Sequence, residues 1–596
     1  MEFSELIQTS KVDHVLLSRP FLQPVKGTLC ITSHHLLLSS RAGEKEELWL
    51  LMRNIDAIEK SCVHSISWRS GWREVKSTQS SPVAGGGEAA EFSSVQNLSG
   101  YQNIKLVNQQ NGDRFAGSSG IITVKCKDLC VMYLEIPGME ECLNIAKSIE
   151  ALSSLESTSH MYPFFYRPKQ LNLREGWDLF TPEEYFTKLS MHTDNWRLSY
   201  VNKDFNVCTT YPDAVIVHKS IDDAALKTIA SFRQGGRFPL FSYYHKKTGM
   251  VIMRSSQPLT GANGKKCKED ECFLAAVLQP DKKGYIIDTR SIQAAHQAKV
   301  KGGGFESKTN YHNWKRLHRH LERGKILQES LIKLVDACND QSNSIDRWFS
   351  KLEASKWLTH VKTILTTACL AAQCVDREGA SVLIHGSEGR DTTLQLTSLA
   401  QIILDPDCRT ISGFQALIER EWLQAGHPFQ LRCASSAYSH AKLKQEAPVF
   451  LIFLDCCWQI SYQFPCSFQF NEHFLITLFE HAYASCFGTF LCNNEKERFI
   501  LNVKEQTISI WAKMNSPCER KQYVNPLYER NSLTIWPSVA PQSLQLWQGL
   551  FLRWKRSPEH QNEAWEQINH IMEQSRRKSN PTNTELFVPK EDYDRN

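Results

Sequence analysis

The stretch Ser381–Thr393, SVLIHGSEGRDTT, constrains this chain more than any other. A short apolar run, Val382-Leu383-Ile384, ends at His385. A tight loop follows, Gly386-Ser387-Glu388-Gly389-Arg390-Asp391. A helical spacing then begins at Thr392 or Thr393 and runs through Leu394, Leu396, Leu399 and Ile402-Ile403. Strand, loop and helix N-terminus in this order turn backbone N–H groups and the positive end of a helix dipole toward one anion. The expectation is a phosphate cradle set in an α/β domain.

Cysteine-dependent phosphatases place Cys-x5-Arg on such a cradle. The N–H groups and the dipole acidify the nucleophilic thiol, and the guanidinium forks two donors onto the phosphoryl oxygens. Here Gly386 stands at the first of these positions and Thr392 at the last. Glycine has no side chain, and threonine is neutral with an unactivated hydroxyl. Ser387 beside His385 is an alternative nucleophile, but Arg390 comes two residues too early in the turn to replace the lost guanidinium. Losing such an electrostatic stabiliser costs orders of magnitude in rate. The loop reads as a scaffold, with retention of a phosphate on its backbone amides as a second reading. Glu388 and Asp391 oppose an anion there.

Other stretches extend this pattern: Trp196–Asn202 (WRLSYVN), Phe232–Tyr244 (FRQGGRFPLFSYY), Tyr285–Arg290 (YIIDTR), Glu419–Phe429 (EREWLQAGHPF), Phe474–Phe490 and Trp536–Trp547. Together they resemble the myotubularins, lipid 3-phosphatases whose active members read HCSDGWDRT at the loop. His385, Ser387, Gly389, Asp391 and Thr393 match that motif; Gly386, Glu388, Arg390 and Thr392 depart from it. The resemblance covers most of residues 1–60 and 118–565 and points to an inactive branch. It implies an N-terminal PH-GRAM domain over 1–155, interrupted by an insertion near 62–117, and a degenerate phosphatase-like domain over 160–555. It also implies a regulatory subunit that binds an active myotubularin-related phosphatase working on phosphatidylinositol 3-phosphate and 3,5-bisphosphate. The expected location is cytoplasmic, peripheral to endosomal membranes. A phosphoinositide-binding module without a phosphatase partner is the alternative, and an active phosphatase is disfavoured.

Composition sets looser bounds. A chain of 596 residues, 41% hydrophobic with 15 Trp, can build large cores, and length alone suggests about three or four domains. A net charge of +5 does not suggest a nucleic-acid binder. The polar start Met1–Lys11 reads as no secretory signal. The 19 Cys, an odd number without framework spacing, read as reduced thiols. Cys126 with Cys130, and the adjacent Cys456-Cys457, lack zinc spacing, so no metal and no cofactor is expected. One literal Cys-x5-Arg, Cys492–Arg498, carries Glu495 and Glu497 and has no apolar strand feeding it. It reads as a surface turn.

Along the chain, Thr28–Ser39, Leu48–Met52, Ile121–Lys125 and Val131–Ile136 read as strands, and Met139–Leu155 as a helix. The insertion is rich in Ser, Pro and Gly and reads as disordered. Tyr285–Ile287 and Val382–Ile384 read as buried strands of a central sheet, and Pro448–Leu454 as a buried helix. After Trp554 the chain turns polar; Trp565, Ile568 and Met572 share a helix face of under two heptads, too short for a stable coiled coil. In the family a longer coiled coil pairs the chains, so this shortened segment is the weak point of the partner expectation. Arg233, Arg237, Lys246 and Lys247 form a basic stretch that faces either lipid headgroups or plain solvent. Lys301-Gly302-Gly303-Gly304 reads as an ordinary loop or the border of a cleft.

Overall fold

A computed structural model describes residues 3–20, 22–40, 47–62, 119–340, 344–439 and 445–555. The expected insertion, beyond Cys62, and the helix carrying Trp565, Ile568 and Met572 lie outside the described residues.

The N-terminal region is a seven-stranded antiparallel sheet: β1 (Lys11–Ser18), β2 (Val25–Ile31), β3 (His35–Ser39), β4 (Glu47–Leu51), β5 (Ile55–Cys62), β6 (Gly120–Cys126) and β7 (Val131–Ile136). Its order is β4-β3-β2-β1-β7-β6-β5. The two strands at its ends, β4 and β5, are joined by the three-residue turn Met52–Asn54. Three residues reach about 11 Å, whereas seven flat strands spread over about 29 Å. The sheet must therefore curl round until its edges meet. The helix Met139–Ser153 follows, burying Cys142, Ile145, Ala146, Ile149 and Leu152. These pack with Val15, Leu29, Leu36, Val124 and Leu134 in one core.

The sequence expectation of one strand over 28–39 is corrected here. Thr32-Ser33-His34 turns the chain, with the His35 N–H donating to the Thr32 hydroxyl at 3.0 Å. The periodicity also hid β1, where a bulge between Val12 and Val15 shifts the register and breaks the period-two pattern.

The large domain holds a two-stranded ribbon, β8 (Trp196–Ser199) with β9 (Val215–His218), and a five-stranded mixed sheet. That sheet comprises β10 (Leu240–His245), β11 (Met250–Ser255), β12 (Gly284–Asp288), β13 (Trp314–His318) and β14 (Val382–His385), in the order β10-β11-β14-β12-β13. β14 is the central strand, parallel to β11 and β12, and all four of its residues are buried. Strands buried on both faces need continuous apolar runs, which Val382-Leu383-Ile384 supplies. Helices Trp357–Asp376 and Thr392–Leu404 pack beside it in the main core. Val449–Gln463 is the expected buried helix and seals the far side of the helix Thr392–Leu404.

The two regions touch directly. The Asp56 carboxylate accepts the backbone N–H groups of Ser436, Tyr438 and Ser439 at 3.0–3.1 Å. The Asp128 carbonyl accepts Arg553 and the Trp554 indole at 2.8 and 2.9 Å.

Candidate functional site

The cradle lies at the carboxyl end of β14, where ligands meet open α/β sheets. Its loop leads straight into Thr392–Leu404, a helix whose thirteen residues are all buried. Gly389 has φ +71°, and a Cβ there would stand 2.2 Å from the Ser255 carbonyl oxygen. Only glycine satisfies both demands. Among the described residues, none accepts a hydrogen bond from the backbone amides of Ser387, Glu388, Gly389 or Arg390.

No Cβ exists at Gly386; one built there would stand 2.7 Å from the Thr289 hydroxyl. Thr392, at the other end of the loop, is buried and shares a 2.8 Å hydrogen bond with that same hydroxyl. Thr393 is fully buried, and among the described residues its hydroxyl has no partner. Glu388 is exposed. The Ser387 hydroxyl accepts from Arg323 at 3.3 Å.

Arg390 turns away from the cradle and donates to the carbonyls of Gly426 and Asn493 at 2.7 and 3.1 Å. Asp391 accepts two donors from Arg432, at 3.1 and 2.8 Å, and lies 3.3 Å from His427 Nδ1. Burial would raise its carboxyl, but His427 and Arg432 hold it well below the usual carboxylate range. His427 Nδ1 also meets the Arg390 carbonyl at 2.9 Å, so this nitrogen carries the proton.

His385 anchors the loop from below. Its ring nitrogens face Glu306 Oε2 at 3.0 Å and the Gly386 carbonyl at 3.2 Å. Glu306 in turn accepts from Arg233 at 2.7 Å, and Arg233 forks onto Asp270 at 2.8 and 2.7 Å. Tyr311 donates to Asp270 at 2.7 Å. The Arg233 side chain has no solvent exposure. Burial would raise Glu306, yet His385 and Arg233 hold it far below the ordinary range.

Two sequence expectations are corrected by these contacts. Arg233 belongs to this buried chain, and Arg237, 2% exposed, donates to the Gly389 carbonyl at 2.9 Å and to the Thr210 hydroxyl at 2.8 Å. Neither reaches a lipid headgroup; of the basic stretch, only Lys246 and Lys247 are exposed. Lys247 pairs with Asp376 at 2.9 Å. Cys492–Arg498 is not a surface turn: both end residues are buried at 1% exposure, and Arg498 is neutralised by Glu495 at 3.1 Å.

Gly303 and Gly304 are buried, and the Gly304 N–H donates to the Gln257 side chain at 3.2 Å. The Gln257 N–H meets the Ser387 carbonyl at 3.1 Å, so the glycine run buttresses the cradle. Sequence reasoning missed Glu306, Asp270, Tyr311 and Arg432, which carry no local signature. His427 and Thr289 sat inside stretches that had been singled out.

A central parallel strand, a tight glycine-containing loop at its carboxyl end and a buried helix define the class, an α/β domain of the kind that carries phosphate cradles. Comparison makes it specific. A family model described as "Myotubularin-like phosphatase domain" matches residues 161–499. Myotubularin-related protein 9 of Mus musculus is 59% identical over 96% of this chain and 95% of its own length. Myotubularin-related protein 9-like of Bos taurus is 52% identical over 96% of each chain. The phosphatidylinositol-3,5-bisphosphate 3-phosphatase MTMR2 of Mus musculus is 39% identical over 66% of this chain and 61% of its own length. The chain belongs to the myotubularin family.

Proposed function

We propose that this chain is a catalytically inactive myotubularin acting as a regulatory subunit. It binds an active myotubularin-related phosphatase and alters that partner's stability, location or turnover on phosphatidylinositol 3-phosphate and 3,5-bisphosphate. One observation carries the inactivity. At residue 386 there is no side chain, and the space beside it is taken by the hydrogen-bonded Thr289 and Thr392 hydroxyls. No thiolate attacks and no guanidinium grips the phosphoryl oxygens. A fold kept whole around such a site supports work through contact, as a coupling energy between two proteins. The association is peripheral at endosomal membranes; among the described residues no helix is long and apolar enough to span a bilayer.

The test is co-purification of the full chain with an active relative, followed by assay of the complex on phosphatidylinositol 3-phosphate. A stable complex with altered turnover is expected. Absence of a complex sinks the regulatory reading and leaves the second one, a phosphoinositide-binding module. The curled N-terminal sheet closed by a helix favours that second reading, as the PH-GRAM plan. It requires sedimentation with vesicles carrying 3-phosphoinositide that weakens with salt; equal binding to neutral vesicles removes it.

A further inference from the structure

We propose that Thr289 is a second lock on this site: it fills the space a residue-386 side chain needs, so restoring the nucleophile and guanidinium does not restore the cradle while it remains. This rests on the reading that the native chain is inactive. The geometry is local and rigid. Thr289 follows the last residue of β12, 3% exposed. Its N–H donates to the His385 carbonyl at 2.9 Å and its carbonyl accepts from Leu321 at 3.0 Å, so its backbone is pinned on both sides. A β-branched side chain is stiff at χ1, a restraint that remains when Thr392→Arg removes the hydroxyl to which Thr289 is bonded.

Gly386 does not need to be glycine for its own backbone, because its φ is not in the left-handed region, unlike Gly389. The obstacle to a side chain at 386 is therefore the Thr289 hydroxyl at 2.7 Å, closer than a Cβ contact tolerates. The next groups round the same point are compatible with a thiolate. The Thr392 and Thr393 hydroxyls stand 3.6 and 3.8 Å away, and that of Thr393 is buried without a partner among the described residues. With Thr289 cut back, a thiol at 386 meets the Thr393 hydroxyl at the N-terminal turn of the buried helix.

Two experiments on the full chain test this. The first is a melting-temperature cycle of Gly386→Ala against Thr289→Ala. Gly386→Ala is expected to lower Tm by about 2–6 °C with Thr289 present and not at all with Ala at 289. Equal losses in both backgrounds overturn the proposal. The second compares Gly386→Cys/Thr392→Arg with the same pair plus Thr289→Ala or Thr289→Val. Iodoacetamide alkylation from pH 5 to 9 is read by mass spectrometry on the peptide holding residue 386. Thr289→Ala is expected to lower the apparent thiol pKa by about one unit or more, whereas Thr289→Val, which keeps the volume, leaves it unchanged. The same titration in all three variants, high or low, overturns the role of Thr289. Phosphate release by the unaltered chain, assayed beside them, would instead remove the reading on which the proposal rests.

Discussion

Replacing Arg233 by Met separates a buried structural cation from a lipid contact. The guanidinium makes three charge-assisted hydrogen bonds, two to Asp270 and one to Glu306, and donates to the Ser256 carbonyl at 3.0 Å. Methionine fills similar space but leaves two buried carboxylates without their cation. Glu306 keeps His385 and a backbone N–H, and Asp270 keeps Tyr311. Removing one partner of a buried pair costs about 3–5 kcal/mol. For a domain of this size about 2 °C accompanies each kcal/mol, so Tm should fall by about 6–10 °C. Thermal unfolding of the full chain by circular dichroism, at one scan rate, measures it. Adding Glu306→Gln removes one stranded charge while leaving an acceptor for His385, so the double variant should lose less than the sum of the singles. A Tm within about 2 °C of the parent, with weakened vesicle binding, would refute the reasoning and return Arg233 to the surface.

Three further outcomes follow from other contacts. Gly389→Ala should destabilise by more than about 2 kcal/mol, combining left-handed strain with the Ser255 clash, whereas Gly235→Ala, at φ +62° with open space around it, should lose only about 1 kcal/mol; equal losses would contradict the close approach. Asp391→Asn should lower stability at pH 7 by about 1.5–3 kcal/mol. Because the folded carboxyl titrates well below its unfolded value near 4, the gap to the parent should close as pH falls below about 4; a gap independent of pH argues against the Arg432 and His427 pairing. Burial raises the Asp455 carboxyl to about 6 despite hydrogen bonds from Trp357 and Gln459. Its stabilisation is full below the unfolded value and is lost as pH rises through about 6, worth roughly 3 kcal/mol by pH 8. Asp455→Asn should flatten that part of the Tm profile between pH 4 and 8, and an unchanged slope would contradict it.

Much of the cradle was legible because it is local. An apolar strand, a Gly-containing turn and a helical spacing follow one another without a break over residues 382–403, and β14, its loop and its helix stand where that pattern puts them. The groups that set the loop's chemistry come from elsewhere in the chain. Glu306 and Arg432 reach it only through the sheet order and the packing of distant segments, which no periodicity encodes. Arg233 and Arg237 were misread for a related reason. Charge in sequence suggests solvent, while their partners Asp270, Glu306 and the Gly389 carbonyl lie 37 to 152 residues away. The strand reading over 28–39 failed because the polar run Thr32-Ser33-His34-His35, where the chain turns back, was read as a continuation of the apolar stretches on either side.

The most direct test of the central claim is phosphate release from phosphatidylinositol 3-phosphate by three samples: this chain alone, an active myotubularin-related phosphatase alone, and the two purified as a complex. A catalytically inactive regulatory subunit gives no release above the buffer blank by itself and a changed rate in the complex relative to the partner alone. Turnover by this chain alone, or a complex whose rate, stability and location equal those of the partner, would contradict that claim.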